Sequence, residues 1–255
     1  MKTIDYNELD IISYNHNSGS FAEIDKCIFN GEIYALKRFT NGKYLNGKRR
    51  NISELSSIND SHLITPKFWV KNEEGKNQYL TKFCYGDPLE FEKNTNVVAK
   101  LKHAKNLIEK MHSYKIIHGD LNISNLLFSG DEPFIIDFDN VSLNNSNVDI
   151  SSLNDYSADY IKRLGINKGL DVYLFNLLTY AILNETDYYR VRSNVLAKKY
   201  GVFDFKDGIK LCNLFSLEKG YSDGDYLIDM ISNEDVKIFS IFFILRTGAY
   251  QFLDL

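Results

Sequence analysis

A chain of 255 residues, 44% hydrophobic and 25% charged, is long enough to bury a sizeable core and too apolar to be disordered. Its net charge of −4 argues against a nucleic-acid-binding surface over the whole protein, so no nucleic-acid partner is expected. Three scattered cysteines, Cys27, Cys84 and Cys212, lack zinc-ligand spacing and suit free thiols in a reducing compartment, hence a cytoplasmic location.

The first residues turn acidic by Asp5 and lack the apolar core of a secretion signal. The longest apolar run near the other end, residues 241–245, is too short to cross a bilayer, and no membrane span is expected. Residues 9–40 read as β-rich: a strand at 9–13, a polar turn at 14–20, and strands at 21–24, 26–29 and 32–39. Asn30-Gly31 is a hairpin turn signal. The basic run 40–50, with Lys43, Lys48, Arg49 and Arg50, is most simply a solvated face; a site for a phosphate or a partner is the sharper alternative. Residues 51–58 fit a short amphipathic helix with Ile52, Leu55 and Ile58 on one face. Residues 67–70 and 78–83 fit two further strands.

Residues 97–114 form a helix by the spacing of Val97, Leu101, Ala104, Leu107, Ile108 and Met111. Residues 170–183 form another, and its nearly unbroken hydrophobicity implies burial on every side. More helices are expected at 186–200, 209–218, 226–231 and 236–252. Between the two strong helices lies a polar constellation. Ile116-Ile117 leads into His118-Gly119-Asp120; Asn125 follows five residues later, and Asp137 twelve after that. Two carboxylates and a carboxamide thus sit at the ends of short apolar strands. That arrangement suits an Asp that activates an acceptor, set beside the oxygen donors Mg²⁺ prefers. The alternative is a pair of β-turns with polar tips.

The order His118, Asp120, Asn125, Asp137-Phe138 matches H-x-D-x-x-x-x-N followed by D-F-x. It resembles the catalytic loop and metal-binding motif of the protein-kinase-like superfamily. The resemblance extends over about residues 9–250. It implies an α+β, bilobal fold in a single domain: a small antiparallel β-sheet lobe with one helix (1–81), a hinge (82–85) and a larger, mainly helical lobe (86–255). It implies Asp120 as catalytic base, Asn125 and Asp137 as metal ligands, and ATP with Mg²⁺ or Mn²⁺ as cofactors. Lys37, in Ala35-Leu36-Lys37, would hold the nucleotide phosphates and take part in catalysis. Glu54 would pair with it, a surface glutamate being the alternative. Gly19 is the one glycine left in the phosphate-covering loop. Ile24 and Ala35 would lie above the adenine, Leu127 below it, and the backbone of Lys82, Phe83 and Cys84 beside it. His112 and His118 read as structural, and Asp171 resembles an acid that caps the catalytic-loop backbone.

Three positions depart from the common kinase pattern: Gly119 stands for an arginine, Asn122 for a lysine and Asp139 for a glycine. Asp139 fits either a second metal site or a solvated turn. The expected activity is that of a divergent serine/threonine-type protein kinase. It would transfer the γ-phosphoryl of Mg-ATP to a hydroxyl, because the path from hinge to catalytic loop is short and a polar, activation-type segment runs from 137 to 171. A small-molecule kinase of aminoglycoside or sugar type is the alternative, favoured by the three departures. The acceptor partner is thus a protein or a small-molecule hydroxyl. A pseudokinase binding module is the non-enzyme alternative; the sparse Gly19 loop favours it, while Lys37, Asp120, Asn125 and Asp137 count against it.

Overall fold

The period-two hydrophobic pattern of the N-terminal third builds one sheet with two differently used faces. In the computed structural model, the described residues are 1–18, 22–40, 45, 47–71, 77–89, 96–143, 155–183 and 225–230. Six strands, β1 (Lys2–Asp5), β2 (Asp10–Ser18), β3 (Ala22–Phe29), β4 (Glu32–Phe39), β5 (Pro66–Lys71) and β6 (Asn77–Lys82), lie in the order β1-β5-β6-β4-β3-β2. All neighbours are antiparallel except β1, which runs parallel to β5. Asn30-Gly31 makes the expected two-residue turn, with Phe29 opposite Glu32. Successive side chains of a strand point to opposite faces. Tyr34 and Leu36 of β4 join Ile4, Cys27, Phe29, Val70 and Leu80 in one core, which Tyr6, Leu9 and Ile11 cover. Phe39 joins Ala22, Leu45, Ile52, Trp69 and Tyr79 in the other, leaving Lys37 on the same side of β4.

The second face receives helix α1 (Arg49–Leu55), which is shorter than the expected 51–58 and starts earlier. Seven residues do not sustain a helix in water, so tertiary contacts hold it. Ile52 and Leu55 are fully buried, Asn51 Nδ2 donates to the Val141 carbonyl at 3.1 Å, and Trp69 Nε1 donates to Ser53 Oγ at 2.9 Å. The guanidinium of Arg49 lies 4.9 Å over the Trp69 ring.

Past β6 the chain crosses Phe83 to Gly86 into a two-residue strand, β7 (Asp87–Pro88), which pairs with β9 (Leu126–Ser129). A Cβ on Gly86 would sit 3.0 Å from Leu127 Cβ and 3.2 Å from the Phe128 backbone, so the absence of a side chain sets how tightly the crossing packs. Strand β9 also pairs with β10 (Glu132–Ile135), and β8 (Ile116–Ile117) pairs with β11 (Ser142–Leu143). Around them pack α2 (Val97–Ser113), α3 (Asp155–Leu164) and α4 (Gly169–Leu183). All fifteen residues of α4 are buried, as their hydrophobicity implied. Its Asn176 is satisfied by the peptide of residues 225–227: Nδ2 donates to the Asp225 carbonyl and Oδ1 accepts from Leu227 N, both at 2.8 Å.

The fold is α+β and of the bilobal kinase-like kind. Several expectations need adjusting. The turn expected at 14–20 is strand as far as Ser18, because β2 runs on from Asp10 beside β3. Strand β1 was not foreseen. Within the expected activation-type segment lies helix α3, whose Tyr160, Ile161 and Leu164 bring apolar groups to one face against α4. The expected helix at 226–231 is a short 3-10 turn, Leu227–Met230. Expected helices 186–200, 209–218 and 236–252 lie outside the described residues. Among the described residues no helix is long and apolar enough to cross a membrane.

Candidate active site

Backbone pairing between Ile117 and Ser142 delivers the chain into His118-Gly119-Asp120 in a fixed direction. Asp171, fully buried in the first turn of α4, then holds the turn itself: its two carboxylate oxygens accept from His118 N and Gly119 N, each at 2.8 Å. His112 Nε2 of α2 meets the same carboxylate at 3.1 Å. The His118 ring bridges outward, donating from Nε2 to the Ile136 carbonyl at 2.9 Å. Its Nδ1 accepts from Asp120 N at 3.2 Å, so His118 is the neutral Nε2–H tautomer and serves as scaffold. The Asp120 carbonyl accepts from Asn122 Nδ2 at 3.1 Å and from Asn125 Nδ2 at 2.9 Å. The half-buried Asp120 side chain therefore leaves a backbone pinned on both sides. Gly119 has φ +77°, and a Cβ there would stand 3.2 Å from the Asn140 carbonyl. Any side chain there would be strained, by the left-handed backbone and by the close Asn140 carbonyl, which accounts for glycine where the common kinase pattern has arginine.

Asn125 is tied to the segment that follows β10 through its own carbonyl, which accepts from Ile136 N at 3.0 Å. With Nδ2 spent on Asp120, its side-chain carbonyl oxygen is the acceptor left for a cation. Asp137 adopts the left-handed region at φ +64°, a conformation that costs about 1–2 kcal/mol for a residue with a Cβ. The fold uses that backbone to bring its carboxylate to Lys37, whose Nζ lies 2.6 Å from Asp137 Oδ1 and 2.6 Å from Asp139 Oδ2. The Tyr79 hydroxyl donates to the other oxygen of Asp139. Burial works against the charge of Lys37, but the two carboxylates outweigh it and raise the ammonium above its ordinary value. Burial and the neighbouring Asp137 push the Asp139 carboxyl up. Asp137, with 38% of its side chain exposed, is held below its usual range because Lys37 offsets its burial. An amide oxygen and a carboxylate are donors of the kind Mg²⁺ takes, the ion binding one or two carboxylates and completing its shell with water and phosphate oxygens. The Ile136–Asn125 backbone bond sets Asn125 beside the residue that precedes Asp137.

The structure brings most of the expected residues together. Ile24, Lys37 and Tyr79 are direct cross-strand partners in one row, and Ala35 lies two residues along the same face. Leu127, Phe83 and Cys84 are half-buried at the crossing between the sheet and β9. Phe83 N donates to the Ile33 carbonyl at 3.2 Å, extending the ladder past β6, and the exposed Lys82 binds Glu32 at 3.2 Å. Gly19 lies outside the described residues.

Glu54 needs correction: it does not reach Lys37. It projects from the open side of α1, 44% exposed, and pairs with Arg50 at 2.9 Å, four residues back on the same helix. Asp139 is also no solvated turn, being 4% exposed. Nor is the basic run wholly solvated, because Lys48 is buried and donates to Asn140 Oδ1 at 2.8 Å. Sequence reasoning missed Tyr79 entirely, since only the strand register places it beside Lys37.

A family model described as APH, the phosphotransferase enzyme family, matches residues 59–164, under half of the chain. The match contains Asp120, Asn125, Asp137 and Asp139 and stops short of Lys37. No curated protein matches the chain at a significant level. The matched family belongs to the protein-kinase-like superfamily, which includes small-molecule kinases, and this is the superfamily that the motif resembles.

Proposed function

We propose that this phosphotransferase of kinase-like type moves the γ-phosphoryl of ATP to an acceptor hydroxyl, with Mg²⁺ held by Asn125 and Asp137. The observation that carries the reading is the convergence of Lys37, from the sheet, with the Asp137 carboxylate, from the loop after β10, at 2.6 Å. These groups lie 100 residues apart in sequence, and their meeting puts a lysine charge beside a carboxylate suited to a cation. The metal ion would supply charge neutralisation at the phosphates. Lys37 offers a compact positive charge to the phosphate oxygens. Asp120, on its pinned backbone, orients the acceptor hydroxyl and accepts its proton. Ile24, Ala35 and Leu127 offer apolar surface to the adenine.

For the acceptor, a serine or threonine side chain of a protein is our first reading. The path from Tyr85 to Asp120 contains one α-helix among its described residues, α2, and little room for an added acceptor-binding portion. A small hydroxylated molecule is the second reading, favoured by the family match and by Gly119, which stands where an arginine would receive a loop phosphate. Incubating the protein with labelled ATP and Mg²⁺, in turn with a protein pool and a metabolite pool, tests both. Label in protein supports the first acceptor and label in small molecules the second. Calorimetry without detectable ATP binding, in Mg²⁺ or Mn²⁺, would overturn the phosphotransferase reading.

A further inference from the structure

A lysine on a flexible four-carbon stem must be held in place to be useful to a phosphate. The kinase-like resemblance gives that task to Glu54, which the structure turns outward toward Arg50. Another carboxylate occupies the position. Asp139 Oδ2 lies 2.6 Å from Lys37 Nζ, and its other oxygen accepts from the Tyr79 hydroxyl. Tyr79 is 1% exposed and is the cross-strand neighbour of both Lys37 on β4 and Trp69 on β5. Its ring meets Trp69 edge to face at 6.1 Å and Phe39 at 5.7 Å, so the hydroxyl has little freedom to move. Trp69 in turn donates to Ser53 of α1. A continuous line of packed and bonded groups therefore runs from α1 through Trp69, Tyr79 and Asp139 to Lys37. Asp137 is the more open carboxylate and the one assigned to the metal ion, which leaves Asp139 to hold the lysine.

Resting on the phosphotransferase reading above, we propose that Asp139, oriented by Tyr79, is the positioning residue for Lys37 in place of Glu54. Tyr79 fixes one carboxylate oxygen, and the other then faces Lys37 at a set distance. The helix glutamate is released from the task and remains on the surface.

The test is ATP binding by calorimetry, with and without Mg²⁺, for Asp139→Asn, Tyr79→Phe and Glu54→Gln, each alone and combined with Lys37→Met. Contacting groups that act through one another give non-additive effects. Asp139→Asn is expected to weaken ATP binding about tenfold, with or without the metal. Tyr79→Phe should weaken it less, and Glu54→Gln should leave it unchanged. Combined with Lys37→Met, neither Asp139→Asn nor Tyr79→Phe should weaken binding further. If the unaltered protein binds no ATP, the phosphotransferase reading falls and this inference with it. If the unaltered protein binds but Asp139→Asn binds equally well or better, the inference falls alone. It falls too if the loss persists alongside Lys37→Met, or is confined to samples with Mg²⁺, since Asp139 would then be structural or a metal ligand. Should Asp139→Asn fail to fold, Tyr79→Phe carries the same comparison, and an unchanged affinity in it overturns the proposal.

Discussion

Asp120 and Asp171 show how two carboxylates in one loop system take different work from their surroundings. Asp120 is half-buried, with its backbone N–H and carbonyl both occupied, so its position is fixed by main-chain bonds. Asp120→Asn should retain fold and ATP affinity while lowering phosphotransfer by about 10²–10⁴-fold, the usual worth of a placed general base. Binding and transfer measured on one sample check this, and undiminished transfer would remove Asp120 from the mechanism. Asp171 is fully buried and spends its oxygens on two main-chain donors. Asp171→Ala would orphan both N–H groups at about 1–3 kcal/mol each. Urea unfolding should therefore show a loss of about 2–6 kcal/mol. A loss below 1 kcal/mol would mean that water replaces the carboxylate and that the cap is dispensable.

Helices α1 and α4 stand at opposite ends of the range of element stability. The short α1 has no side-chain cap bond at Lys48 and depends on Ile52, Leu55 and its two side-chain bonds to neighbouring elements. Ile52→Ala should cost about 2–5 kcal/mol. Amide exchange should be faster in α1 than in the wholly buried α4. Equal protection in both would show α1 to be part of the global folding unit. This difference also marks what the sequence made legible. Helix α4 announces itself because burial on every side demands apolar residues throughout, and the 97–113 helix because its apolar stripe repeats over several turns. Asp120, Asn125 and Asp137 were readable because they share one stretch of chain. The partner of Lys37 was not, because Asp139 reaches it across a hundred residues, and Tyr79 reads as one more strand aromatic until the β4–β6 register is known. Strand β1 escaped notice because four residues carry no reliable period, and its partner is sixty residues away.

At the scale of the whole molecule, the site is a seam between a sheet and a set of loops anchored on buried helices. A ligand that touches both sides stabilises the folded state by mass action. Mg-ATP at a hundredfold excess over its Kd should add about 2.7 kcal/mol of stability. Scanning calorimetry at rising ATP concentration checks this, and a melting temperature independent of ATP would speak against binding at the seam. The strand order has a further consequence, for the timing of synthesis. Strands β2, β3 and β4 are successive neighbours and can pair as they leave the ribosome, but β6 must slot in beside β4 and β5 beside β6 before β1 has any edge to join. Residues 2–5 therefore wait until Lys82, at the end of β6, has been made, a delay of roughly 4–15 s at ordinary elongation rates. Throughout that wait the open side of β4, with Lys37 on its face, is exposed to whatever else is in reach. A nascent chain stalled before residue 77 would present an unpaired strand edge that the finished protein keeps covered.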